Sequence, residues 1–246
     1  LSTNYDAIAD RYKEAKLQPW RSHIERHTLL GLLGNLEQQK AVDMACGEGY
    51  YTRDLRRLGA EPVLGIDLSR GMIELAQTEE RRQPLGIAYR VGDARTLDLE
   101  PGFDVVFAAY LLNYAQNASE LLAMCQNIAS ALKSGARFIA ANNNPEDPPE
   151  NFNAGRQYGF EKRLVGPFRE GAPIVWSFHL PEQTIEVTNY LLSTSTLEHA
   201  LHAAGFTEIC WHKPRVSAEG QRSFGEQHWM AFLELPPVVF LSCTKA

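Results

Sequence analysis

No stretch of this 246-residue chain approaches the roughly 18 consecutive apolar residues that a membrane-spanning helix needs. Its opening, Leu1-Ser2-Thr3-Asn4-Tyr5-Asp6, lacks a basic region followed by an apolar run. Cys46, Cys125, Cys210 and Cys243 lie far apart, with no C-x-x-C pair, and suggest neither a zinc site nor a disulfide framework. There is no block of basic residues: 24 Lys and Arg against 30 Asp and Glu leave a net charge of -6, so bulk attraction to nucleic acid is not expected. Internal repeats and low-complexity segments are absent. The expectation is a soluble, cytoplasmic protein with no metal, membrane or nucleic-acid partner, whose oligomeric state the sequence leaves open. What is present is ordinary for a globular chain, 44% hydrophobic and 22% charged, at a length suited to one domain with or without an insertion.

The informative stretch is Ala41-Val42-Asp43-Met44-Ala45-Cys46-Gly47-Glu48-Gly49-Tyr50-Tyr51-Thr52. It reads as a buried strand, a tight glycine turn and the start of a helix. About twenty residues on, Val63-Leu64-Gly65-Ile66 reads as a second strand that ends in an acid, Asp67. A strand, glycine turn and helix followed by an acid at that spacing is how an α/β sheet holds a nucleoside-containing ligand.

Strands and helices alternate around this stretch. Strands are expected at 41–46, 62–67, 86–91, 103–109 and 136–141. Helices are expected from Tyr50 to Leu58, from Ser69 to about Glu80 with Ser69 as N-cap, and from about Ser119 to Leu132, closed by Ser134-Gly135. Continuous apolar strands between helices imply a mainly parallel sheet covered on both faces. Two helices within 1–37 precede it, and their tyrosines and the Lys16–Arg21 cluster suit a lid. Residues 142–172 resist assignment. The alternating runs 174–179 and 184–190 predict an antiparallel pair, so 142–194 reads as an inserted cap. A helix at 196–204, a strand at 206–213, a polar loop at 214–222, a helix at 224–235 and a last strand at 238–243 complete one α/β domain over 1–246.

A dinucleotide fingerprint, G-x-G-x-x-G, fails at its third glycine, which is Thr52 here. Asp43 would repel a pyrophosphate and suits a ligand with a cationic amine. In these residues the chain resembles the class I S-adenosylmethionine-dependent methyltransferases, whose first motif is an acid followed by G-x-G-x-G. Here it is Asp43 and then Ala45-Cys46-Gly47-Glu48-Gly49, with alanine at the first glycine. The resemblance covers roughly 40–142 and implies a Rossmann-like sheet whose last strand is antiparallel. It implies that the Gly47–Gly49 turn passes the amino acid part of S-adenosylmethionine and that Asp67 binds the ribose hydroxyls. Leu68 and Met72 would flank adenine, the Gly92-Asp93-Ala94 turn would contact it with Asp93 near its exocyclic amine, and Ala109-Tyr110 would offer a carbonyl to the methionine amine.

Before the core, Tyr5-Asp6-x-Ile8-Ala9-x-x-Tyr12 and Lys16-Leu17-x-Pro19-Trp20-Arg21 are similar to the small-molecule methyltransferases of bacterial secondary metabolism, in particular those that methylate azapteridine ring nitrogens in toxoflavin biosynthesis. That similarity implies a catalytic place for Tyr5 and puts Tyr12 beside the cofactor. The acceptor pocket is expected from the lid (Lys16, Trp20, Arg21), the end of strand four (Tyr110, Asn113, Tyr114) and the cap (Phe152, Tyr158, Trp176, Phe178, His179). An aromatic and amide-rich set suits a flat polar heterocycle. An amino sugar or a quinone-like acceptor competes with it. A nicotinamide oxidoreductase, a nucleic-acid methyltransferase and a non-catalytic binding protein are the rival classes. The acidic balance and the lack of an aromatic–proline tetrad oppose base methylation.

Overall fold

A computed structural model describes residues 5–7 and 14–246. Its centre is a seven-stranded sheet in the order β3-β2-β1-β4-β5-β10-β9. The strands are β1 Ala41–Met44, β2 Val63–Asp67, β3 Ala88–Val91, β4 Phe103–Ala109, β5 Leu132–Asn143, β9 Phe206–His212 and β10 Val238–Lys245. The strands β3, β2, β1, β4 and β5 pair in parallel, and β10 runs antiparallel to both β5 and β9. In register, Ala41 faces Val63 on one side and Val105 on the other.

The central strands of this sheet are buried on both faces, which is why they read as apolar runs rather than alternating ones, while the edge strands β3 and β9 are largely exposed. The side chains still alternate: Val105 and Phe107 of β4 join one core cluster, and Val106 and Ala108 join the other. On the first face pack the π-helical stretch Arg21–Arg26 and helix α1, His27–Leu33, which supply Ile24, Leu29 and Leu33. Helix α2, Tyr50–Arg57, adds Tyr51 and Leu55 to the same face. Helix α3, Arg70–Arg82, starts at the predicted cap, with Met72 N donating to Ser69 Oγ at 3.1 Å. The other face is covered by α4, Ala118–Ala131, and α5, Thr194–Ala203, capped by Asn117 and Ser193.

Three elements differ from expectation. Helix α4 ends at Ala131 and β5 begins at Leu132, so Ser134-Gly135 lies inside the strand and caps no helix. The stretch 214–222 is not all loop: α6, Ala218–Phe224, starts within it and meets α7, Glu226–Glu234, the helix expected at 224–235, at Gly225, whose φ of 81° suits glycine. The antiparallel pair is part of a three-stranded sheet, β6 Phe160–Leu164, β7 Pro173–Leu180 and β8 Gln183–Tyr190. The central residues of β6, Glu161-Lys162-Arg163, hide it from a hydrophobicity reading. Lys162 is nevertheless buried, paired with Asp147, and its ammonium lies 4.4 Å from the Phe152 ring centre and 5.1 Å from that of Trp176.

Candidate active site

The strand order turns back between β1 and β4, which leaves a crevice beyond their carboxyl ends, the usual ligand site of open α/β sheets. A cavity of about 220 Å³ lies there. Its floor is the turn after β1, where Ala45 (φ 63°) and Gly47 (φ 56°) are both left-handed. At Ala45 this conformation carries a steric cost that glycine would avoid. Gly49 caps α2 and is not on the lining. A Cβ there would stand 2.5 Å from the Tyr89 hydroxyl, so this glycine makes room for the Tyr89 ring.

Four acids ring the cavity. Asp67 ties two turns together: Oδ2 accepts from Gly47 N at 2.8 Å and Oδ1 from Ser69 N at 2.9 Å. Burial raises its carboxyl above the ordinary range, and those two N–H groups oppose the rise. Asp93 is held by Arg95, whose Nη2 lies 2.7 Å from Oδ2, and this pairing keeps its carboxyl below the usual value. Asp43 is fully buried in β1. Thr52 Oγ1 donates to its Oδ2 at 2.6 Å, and its Oδ1 has no donor among the described residues. Burial pushes this carboxyl up to about 7. A buried acceptor without a donor is rare and costly, and here it stands beside a cavity. Lys16 reaches over the turn, with Nζ 3.1 Å from Glu48 Oε2.

The fourth acid, Glu25, belongs to the other end. Its Oε2 accepts from Arg21 Nη1 at 2.7 Å and from the Tyr110 hydroxyl, while its Oε1 accepts from the Tyr51 hydroxyl at 2.5 Å. Beside it the hydroxyls of Tyr5 and Tyr114 are hydrogen-bonded. Next to Tyr5, Asp6 Oδ1 accepts from Ser69 Oγ at 2.5 Å and from Gly71 N at 2.8 Å. The short turn Tyr5–Ala7 therefore bridges the cleft, from the start of α3 to the loop after β4. Among the described residues no group of three or more His, Cys, Asp or Glu side chains is placed to hold a metal, and no helix is long and apolar enough to cross a membrane.

A family model described as a methyltransferase domain matches residues 41–135. A ubiquinone biosynthesis O-methyltransferase of Methylococcus capsulatus is 37% identical over 108 residues, 43% of each chain. An N-demethylindolmycin N-methyltransferase of Streptomyces griseus is 25% identical over 68% of this chain and 69% of its own. The matched part of the chain spans about half the length of the curated relatives it resembles. An S-adenosylmethionine-dependent methyltransferase structure from Mesorhizobium loti superposes with a TM-score of 0.65 at 19% identity, over 94% of this chain and 100% of that one. The chain has the class I methyltransferase fold. The domain match and the fold together support S-adenosylmethionine as the cofactor.

Within this methyltransferase fold the cavity gathers most of the residues singled out from sequence. Asp43, Ala45, Gly47, Asp67, Leu68, Met72, Asp93, Ala94 and Ala109, expected at the cofactor, line it, and so do Tyr5, Lys16, Arg21, Tyr110 and Tyr114, expected at the lid and the acceptor. Trp20 and Trp176 lie one layer away, on a smaller cavity of about 20 Å³ that shares Arg21, Tyr110 and Tyr114 with the first. Asn113 is buried behind them, accepting from Asn143 N at 3.2 Å. Phe152 packs under Lys162. His179 sits on the exposed end of β7, 3.5 Å from Glu161 and 3.2 Å from Thr184, away from both cavities. Tyr12 lies outside the described residues.

Sequence reasoning passed over Glu25, Tyr51, Arg95, Thr188 and Tyr190, which also line the cavity. A signal existed for one of them: Arg21 and Glu25 stand four apart on a helix, the spacing of a facing pair. Thr188 and Tyr190 share one face of β8 and reach the cleft by packing of the small sheet, which local pattern does not encode.

Proposed function

We propose that this chain transfers a methyl group from S-adenosylmethionine to a ring nitrogen of a small, flat heterocycle. The observation that carries the reading is one continuous cavity with two chemistries. Its acidic end has a buried carboxylate oxygen open to a donor, and its other end is walled by phenols and a guanidinium. When bound, the cofactor supplies an electrophilic methyl on a cationic sulfur. Asp43 would hold its ammonium, and Asp67, whose oxygens can each accept further hydrogen bonds, would hold the ribose diol. Leu68, Met72 and Ala94 would flank adenine near Asp93. At the acceptor end, Tyr5, Tyr110, Tyr114 and Arg21 would present a planar polar ring in line with the methyl group. Such positioning is worth roughly 7–11 kcal/mol in well-oriented reactions. Residues 1–37 act as the lid and 142–194 as the acceptor cap.

An azapteridine of the toxoflavin series is the acceptor favoured by the Tyr5–Arg21 signature, and its ring N–H, flanked by carbonyls, needs only modest assistance. A quinone-like acceptor, methylated on oxygen, is the second reading. It is favoured by the 37% identity to the ubiquinone biosynthesis O-methyltransferase. Purified protein incubated with S-adenosylmethionine and 1,6-didesmethyltoxoflavin, followed by mass spectrometry, separates them. Gains of one or two methyl groups support ring methylation. No gain, with cofactor binding present in the same preparation, discards this acceptor and leaves the quinone-like phenol to be tested.

A further inference from the structure

Tyr110 follows the last residue of β4 and is left-handed, with φ 69°, a conformation that side chains other than glycine rarely adopt. Its N–H donates to Ala141 O at 2.8 Å, which continues the sheet pairing through the strained residue. This places the ring on the cavity wall and its hydroxyl on Glu25 Oε2. Glu25 itself is 1% exposed. A carboxylate used only for packing could be replaced there by an apolar side chain, since burying it carries a desolvation cost. Its surroundings are instead completed from three sides. Arg21 approaches from the same helical stretch, Tyr51 from α2 with Tyr50 beside it, and Tyr110 from β4. Arg21 is held by Trp20 and Phe178, whose ring centres lie 4.3 and 5.2 Å from its guanidinium carbon. Lys16 is 6.0 Å from the Tyr51 ring centre, so the groups around Glu25 are cationic or phenolic.

We infer that Tyr110 is the catalytic residue that takes the proton from the acceptor nitrogen and that Glu25 is the positioning residue that receives the phenolic proton in turn, an inference that rests on the methyl-transfer reading above. The nitrogen pair forms the bond to the methyl carbon, and the carbon–sulfur bond leaves its pair on sulfur. The N–H proton goes to Tyr110 Oη, and the Tyr110 proton goes to Glu25 Oε2. The positive charge of the sulfonium and the negative charge of the carboxylate both disappear, so the step balances without another reactant. A lactam nitrogen needs this help because its lone pair is delocalised into the neighbouring carbonyls. General-base assistance is worth typically about 10²–10⁴-fold.

The test measures kcat with 1,6-didesmethyltoxoflavin from pH 6 to 10, and cofactor affinity by calorimetry, for the wild type, Glu25→Gln and Tyr110→Phe. Both variants should lose about 100-fold in kcat at pH 7, while cofactor affinity stays within about twofold. The deficit should shrink as pH rises and the acceptor arrives already ionised. A deficit of the same size at every pH, or none, overturns the relay and leaves the network a structural one. If Glu25→Gln does not fold, Tyr110→Phe, which keeps Glu25 bonded to Arg21 and Tyr51, carries the same comparison. A wild type that binds the cofactor but leaves the acceptor unchanged refutes the acceptor reading, and the relay falls with it. Normal wild-type turnover with unaffected variants sinks the relay alone.

Discussion

Asp43→Asn should stabilise the ligand-free protein and weaken its cofactor binding, two effects of opposite sign from one buried charge. The Asp43 carboxyl titrates at about 7 in the fold against an ordinary 3.8, because burial disfavours its charge. Between those values the folded chain keeps a proton that the unfolded chain has released. Stability therefore falls as pH climbs from about 4 to about 7, and this contribution is constant above that. About three pH units at 1.36 kcal/mol each make the loss roughly 4 kcal/mol. Asparagine removes it but places an amide where Oδ1 now has no donor, and an unsatisfied buried amide costs ~1–3 kcal/mol. The net expectation is a variant more stable by about 2 kcal/mol at pH 8 and with no such advantage at pH 4. Toward S-adenosylmethionine the same charge is favourable. Losing a charge-assisted hydrogen bond to the ammonium, about 1.5–3 kcal/mol, should weaken binding roughly 10- to 100-fold. Urea unfolding of both proteins across pH 4–9 and calorimetry at pH 8 check the two halves. The wild-type minus variant difference isolates Asp43 from the other acids. A difference that does not change with pH would refute the account of its burial, and equal affinities would refute its pairing with the cofactor amine.

Asp67→Asn keeps an acceptor for one of the two turn N–H groups and should still fold, but lose about 10-fold or more in cofactor affinity by calorimetry. Unchanged affinity would remove Asp67 from the ribose site. Tyr5→Phe breaks the hydroxyl contact with Tyr114 and is expected to lower turnover more than cofactor affinity. Equal rates at saturating acceptor would leave the hydroxyl without an essential role. Ala45→Gly relieves a left-handed alanine worth ~1–2 kcal/mol, against about 0.4–1 kcal/mol of added chain entropy in the unfolded state. Thermal melting should therefore rise slightly, and a clear fall would show that the Ala45 methyl group contributes packing that outweighs the strain.

The part of the cleft proposed for the cofactor was legible because each of its pieces is local. A strand, a turn that needs left-handed residues and an acid at the next strand's end are written within thirty residues of one another, from Ala41 to Asp67. The parallel sheet then brings those ends together whatever the loops do. The one local departure, alanine where the motif has glycine, is tolerated by the backbone, which is left-handed at Ala45 all the same. Gly49 shows the limit of motif reading: the glycine is needed, but for the Tyr89 ring rather than for the cavity wall.

The part proposed for the acceptor was less legible because it is assembled from three distant segments. Tyr5 and Glu25 come from before the sheet, Tyr110 and Tyr114 from the end of β4, and Thr188 and Tyr190 from the small sheet. Of the aromatic residues expected from the cap, His179 sits at the exposed end of β7, past the buried run 174–178, and Trp176 lies in the core. The acid of this part of the cavity, Glu25, was hidden by its setting. Glu25 follows Ile24 and precedes Arg26. The π-helical stretch Arg21–Arg26 instead places Arg21, Ile24 and Glu25 among the buried residues, while Arg26 reaches Asp54. A wider helical turn at a functional site is a recurrent feature of proteins. Here it brings Arg21 and Glu25 to the cavity together, so the local backbone and this part of the cavity wall rest on the same six residues.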